Sequence, residues 1–155
     1  MPRVYVAQEC HVVNILPPID INGGKNSDVF AMTKHSHVSI IVQNGVNAAA
    51  STVTVEECDD FVPTTTAAIA FDVYKEETAA GDTLGAKVAA TSAGFAMSTN
   101  DNIFYVIEID AAQLSASRPN LRVVFSDPSA SVIASAVAIL SQGRYTKDQS
   151  ATVIV

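Results

Sequence analysis

From Ile103 to Leu140 the chain reads IFYVIEIDAAQLSASRPNLRVVFSDPSASVIASAVAIL. At its start Ile103, Tyr105, Ile107 and Ile109 alternate with Phe104, Val106 and Glu108, the period of two that sends successive side chains to opposite faces of a strand. Asp110 to Leu114 reads as one helical turn, with Asp110 placed to accept from the freed N–H groups that follow. Arg118-Pro119-Asn120 then turns the chain into a second apolar run, Leu121 to Phe125. Ser131 to Ser141 fits two periods. Val132, Ala136 and Ile139 or Leu140 would share a helical face, whereas Ile133, Ser135, Val137 and Ile139 would share a strand face. The β-rich surroundings favour the strand.

Working upstream, the pattern repeats. Ala68 to Tyr74 puts Ile69, Phe71 and Val73 on one face. Val29 to Val42 carries Val38, Ile40 and Val42 in alternation and ends at Asn44-Gly45. With β runs on both sides, that dipeptide predicts a hairpin-like connection into Thr52 to Glu56. Glu56 to Asp60 reads as an acidic turn, and Glu76 to Asn102 as a long loop-like segment with a short strand at Lys87 to Ala90. Ala151 to Val155 is a last short strand. About seven to nine strands at this spacing predict an all-β fold, an antiparallel β-sandwich or jelly-roll-like single domain.

The N-terminal segment differs. Val4, Tyr5, Val6, Val12, Val13, Ile15 and Leu16 keep no sustained period before Pro17-Pro18, and two prolines without N–H groups do not fit a central strand. Residues 1–28 read as an extended arm or edge strand ending in a Pro-Pro turn and the Asn22-Gly23-Gly24 turn; residues 29–155 read as the sandwich. Such an arm could reach a neighbouring subunit or pack along its own domain.

The 155 residues are 48% hydrophobic and only 16% charged, against roughly 25% charged in an average soluble domain. Charge depletion marks the cores of interfaces, so the composition predicts a homo-oligomer or a larger assembly. A net charge of −7 with nine scattered basic residues offers no basic patch for phosphates, so nucleic acid is not an expected ligand. There is no apolar span long enough for a membrane helix and no signal-peptide pattern, and synthesis in a cytoplasm is expected. Cys10 and Cys58 are then expected to be free thiols.

No catalytic constellation emerges. His35 and His37 lie two apart and could together clip a metal, but a third ligand would have to come from His11, Cys10, Cys58 or a distant carboxylate. The acidic residues around Cys58 lack the alternating order and central glycine of a calcium loop, and Asn100-Asp101-Asn102 is a turn composition. There is no G-x-S-x-G elbow, no phosphate loop, no dinucleotide fingerprint, and no histidine after His37. The chain is expected to be no enzyme, with no catalytic residues, cofactor or metal.

Three stretches together carry a resemblance: MTKHSHVSIIVQNG within Val29 to Gly45, TAAIAFDVYKEETAAGDTL from Thr66 to Leu84, and the pair FYVIEIDAAQL (Phe104 to Leu114) with SAVAILSQGRY (Ser135 to Tyr145). They resemble small virion structural proteins of tailed bacteriophages. That resemblance spans most of the chain from Val29 to Tyr145 and implies a capsid decoration, or cement, protein. Such a protein would be made in the host cytoplasm, bind the major capsid protein on the outer surface of the assembled head, form a dimer or trimer, and stabilise the shell. The contacts it implies fall on the arm, with Arg3, Val4, Tyr5, Val6, Val12, Val13, Ile15 and Leu16 as interface residues, and on the loop Glu76 to Asn102. A tail or baseplate module is the alternative. A carbohydrate-binding jelly roll fits less well, because the chain has no Trp and is only 6% aromatic.

Overall fold

A computed structural model describes residues 5–76 and 83–143. One short helical turn, α1 (Val6–Glu9), precedes twelve strands: β1 (His11–Asp20), β2 (Lys25–Asn26), β3 (Phe30–Ala31), β4 (His35–Asn47), β5 (Thr52–Cys58), β6 (Thr66–Ile69), β7 (Phe71–Glu76), β8 (Val88–Ala90), β9 (Phe95–Ala96), β10 (Phe104–Asp110), β11 (Asn120–Phe125) and β12 (Val132–Gly143). A 3₁₀ turn, Ala111–Gln113, separates β10 from β11.

The strands form two antiparallel sheets packed face to face. Sheet A has the order β1-β12-β4-β10-β7-β8, and sheet B the order β2-β11-β5-β6, with β3 on β11 and β9 on β5. The first and last long strands are neighbours, and the chain crosses between sheets at most connections, which is the wrapped topology of a jelly roll. The expected all-β sandwich is the observed fold. The Ala68 to Tyr74 run bridges it: β6 belongs to sheet B, Ala70 lies between, and β7 belongs to sheet A.

Between the sheets lies a single core. Val38, Ile40 and Val42 of β4, Tyr105, Ile107 and Ile109 of β10, and Leu121, Val123 and Phe125 of β11 are all essentially excluded from solvent. Ser131 to Ser141 resolves as strand β12, and its inward face is the small one: Ala134, Ala136 and Ala138 are buried with Val132 and Leu140, while Ile133, Val137 and Ile139 face outward. The alanines share their core with the larger Phe30, Leu121 and Phe125, so total volume is conserved across the layer.

Two expectations are corrected. Asn44-Gly45 is no turn, and β4 and β5 lie in different sheets. Strand β4 runs straight through the dipeptide because Asn44 is buried and used as a bracket. Its Oδ1 accepts from Ile103 N–H at 3.1 Å, its Nδ2 donates to the Asn100 carbonyl at 2.9 Å, and its own N–H donates to the Ile103 carbonyl. Gly45 sits where the pairing with β12 skips a register, the bulge role of a strand glycine. The acidic turn also shrinks: Glu56, Glu57 and Cys58 are strand residues, and the turn begins at Asp59.

Residues 11–28 are part of the sandwich. β1 is an edge strand of sheet A, and Ile15, Leu16 and Ile21 belong to the common core, so no boundary at residue 28 divides two bodies. Of the two readings, arm or edge strand, the edge strand is the one formed. Pro17 and Pro18 do not end it. They sit exposed at a register irregularity between Leu16 and Ile19, and pairing with β12 resumes at Ile19 and Asp20. The chain then turns at Gly23 and Gly24, both at positive φ. The strand expected at residues 151–155 lies outside the described residues.

Candidate interaction surface

The two outer faces of the sandwich differ in chemistry. On sheet B, Arg122 pairs in register with Glu56 and is ion-paired to it at 2.7 Å, with Thr54 opposite Val124 alongside. That is the ordinary solvated face of an antiparallel sheet. On sheet A, register pairing lines up Val137 of β12, Ile41 of β4, Val106 of β10 and Tyr74 of β7 in one row across four strands. All four are partly exposed. On β1 that row ends in Asn14; the row on one side holds Val12, Ile139, Ser39, Glu108 and Asp72, and the row on the other holds Ser135, Gln43, Phe104 and Glu76. Val12 is 47% exposed and continues the apolar patch to the β1 edge.

Apart from Glu76, the ionised groups of this face gather at one end and are mutually engaged. His37 Nε2 lies 2.6 Å from Glu108 Oε2, and Nδ1 lies 2.7 Å from Asp110 Oδ1. Ser39 Oγ donates to the same Glu108 oxygen at 2.7 Å. Lys87 Nζ lies 3.2 Å from Asp72. Burial pulls the His37 imidazolium toward deprotonation, but the hydrogen bonds and charges of Asp110 and Glu108 outweigh it and raise the pKa above its usual value. With an acceptor at each ring nitrogen, the cluster is complete as the imidazolium.

A second cluster holds the 115–118 loop to sheet B. The carboxylate of Glu57, a buried residue, accepts from Ser115 N–H and Oγ, both at 2.8 Å, and from Arg118 Nη1 at 3.2 Å. Burial raises its pKa, but these donors outweigh burial and hold it below the usual carboxylate value. Beside this loop lies a shallow depression of about 320 Å³ lined by Met32, Thr33, Leu114, Ser115 and Pro119, without an ionisable side chain.

The histidine pair does not act together as a metal clip: His35 is buried and stacks on His11, with ring centroids 6.1 Å apart, while His37 is committed to its two carboxylates. Among the described residues no group of three or more His, Cys, Asp and Glu converges as metal ligands. Both cysteines are free; Cys58 is buried, and burial pushes its thiol up to about 11. No helix among the described residues is long and apolar enough to cross a membrane.

The sequence-predicted interface residues scatter. Tyr5 just before α1, Val6 on α1 and Val12 on β1 are exposed, Val13 packs partly against the core, and Ile15 and Leu16 are buried, so the last two cannot meet a partner in this conformation. Arg3 and Val4 lie outside the described residues, as do residues 77–82 of the predicted contact loop; the remainder of that loop exposes Leu84 and Val88. The residues missed are Ile41, Val106, Val137 and Tyr74. For Val106 and Val137 the signal was present, since β10 and β12 carry apolar residues in both phases of the alternation; Ile41 and Tyr74 lie in phases that are otherwise largely polar.

No protein-family model matches this chain, and a search of curated proteins finds no match. Among solved structures, one chain of the structure of infectious bursal disease virus Gt strain aligns over 87% of this chain at 10% identity, with a TM-score of 0.24; this chain spans 36% of that one.

Proposed function

We propose that this protein is a structural module of a virion, of the capsid decoration type, which works through its surfaces and carries out no chemistry. The observation that supports this most is the asymmetry of the sandwich: one outer face is polar and ion-paired, while the other presents an apolar row across four strands. Contiguous apolar patches of this kind mark sites of association. The wrapped topology is one that viral capsid and lectin domains use, an analogy of architecture that favours a shell component over other roles without fixing it. In this reading the exposed Tyr5, Val6 and Val12 at the β1 edge and the Leu84 to Val88 edge meet the major capsid protein, and many copies clamp adjoining capsomers against internal pressure.

The test is addition of purified protein to expanded, undecorated heads of the phage that encodes it, followed by sedimentation and thermal challenge. Co-sedimentation at saturating stoichiometry and a higher disruption temperature are expected. Heads that bind nothing, or tails that bind instead, would sink the decoration role.

A further inference from the structure

We propose that the outer face of sheet A is where two copies of this chain pair, sheet against sheet, about a two-fold axis lying along the row Val137, Ile41, Val106 and Tyr74. The inference rests on the reading of the chain as an assembly module and names the partner of its apolar face. Three features lead to a second copy.

The first is shape and extent. Five strands at ~4.8 Å spacing and three rows along them give a projected footprint of roughly 500 Å². Side-chain relief raises the accessible area above this projected value, toward the ~800 Å² per partner of a standard interface. A sheet face this wide is best filled by another sheet, packed ~10 Å away with strands nearly aligned.

The second is self-matching. An isologous interface needs a patch that meets itself. An axis along the apolar row lays each of its four residues against its own counterpart in the other copy. It also carries the neighbouring row across, so that Ile139, Ser39 and Glu108 come over Ser135, Gln43 and Phe104 of the second copy. Glu108 therefore does not face Glu108, and like charges stay off the central strands; at the β7 edge Asp72, ion-paired to Lys87, comes over Glu76 of the second copy.

The third is charge. A chain with net charge −7 repels its own copies unless the meeting surface is nearly free of ionised groups. On this face the apolar row itself carries none: the His37, Glu108, Asp110 and Asp72, Lys87 groups lie at one end, each engaged with an opposite charge, and Glu76 on β7 lies at the other.

The full chain, analysed by sedimentation velocity over a micromolar concentration series, is expected to be a dimer. Ile41→Lys and Val106→Lys should each weaken dimerisation roughly 100-fold or more, as central charge insertion does. Thr54→Lys, on the outer face of sheet B, should leave it unchanged. If a lysine variant fails to keep its β circular dichroism, Ile41→Cys in a Cys10→Ser background replaces it: a short bismaleimide should cross-link copies through residue 41, and through Thr54→Cys it should not. A monomer at every concentration overturns the pairing, whether residues 144–155 or a capsid subunit then covers the face. A dimer indifferent to Ile41→Lys overturns it too. A monomer that still binds expanded heads defeats the pairing and spares the assembly reading; a face-dependent dimer that binds no heads does the reverse.

Discussion

The His37 imidazole and the Glu108 carboxylate meet at 2.6 Å across the β4–β10 pair, and Asp110, two residues further along the same strand, takes the other ring nitrogen at 2.7 Å. One cation thus joins two acids that alternate on the same face of a strand and would otherwise repel. The arrangement ties the end of β10, where the 3₁₀ turn begins, to β4.

The pH dependence follows from its sign. His37 has a folded pKa above its ordinary 6.5, so its contribution is fully present below about pH 6.5 and is lost as pH rises through the raised folded value. His37→Gln should cost roughly 1 kcal/mol at pH 6, because Asp110 is largely exposed and its share is screened. Melting temperatures measured from pH 6 to 9 should fall for the wild type relative to the variant. Parallel curves would show that the proton on His37 contributes nothing.

Glu57 and Arg118 form the opposite case, a buried acid whose partners keep it ionised. Its pKa is depressed below 4.5, so the contribution is present above that value and lost as pH falls through the folded pKa. Glu57→Ala strands a partly buried guanidinium and frees the Ser115 N–H and hydroxyl. Urea unfolding at pH 7 should register a loss of about 2–3 kcal/mol. At pH 3 the gap between wild type and variant should narrow, and a constant gap would mean that packing alone is responsible.

Asn44 is a test of a motif that means different things in different surroundings. Asn-Gly between β runs is a strong hairpin signal, and local composition contains nothing that contradicts it. What overrides it is a contact 59 residues away, where the Asn44 side chain satisfies Ile103 N–H in the buried interior. Asn44→Ala should therefore destabilise by about 1–3 kcal/mol, the cost of a buried donor left unmet, whereas a turn Asn would tolerate the change within a few tenths. Thermal unfolding of the single variant decides between them.

The same distinction governs what else could be read in advance. The strands were legible wherever one phase of the alternation is apolar and the other polar, as along Thr52 to Glu56, where Val53 and Val55 are buried, since period alone then assigns both the element and its buried face. Pairing order was not, because β1 meets β12 and β4 meets β10 through register set by the whole sheet. Nor was the apolar outer row. Where both phases are apolar, as in Ile133 to Ile139, alternation says strand but not which side is core, and only the small alanines on one side reveal that the bulkier β-branched residues point outward.

Gly94 limits how sheet B closes. Its φ is +77°, and a Cβ added there would run into the Val53 carbonyl oxygen on the adjoining strand β5. Gly94→Ala combines left-handed strain with a backbone collision that no side-chain rotation relieves, and it should cost several kcal/mol. Gly23 also has positive φ but has open space around its Cβ position, so Gly23→Ala should show conformational strain alone, about 1 kcal/mol. Comparing the two in one urea series separates the backbone conformation from the contact. Equal losses would place the whole effect in φ.

The inward face of β12 makes the sharpest comparison. Ala136 is buried between the sheets, while Val137, its neighbour in sequence, belongs to the outer row. Ala136→Leu adds three carbons to a filled layer and should lose about 1–3 kcal/mol through displaced side chains, with dimer affinity unchanged if the variant stays folded. Val137→Ala removes two methyl groups from the opposite face and should cost the monomer little, while weakening self-association measurably. Stability from urea unfolding and affinity from sedimentation thus respond to adjacent residues in opposite ways. If Val137→Ala instead behaves as a core truncation, losing 2 kcal/mol or so with no change in association, the outer face of sheet A is part of a hidden core and not a docking surface.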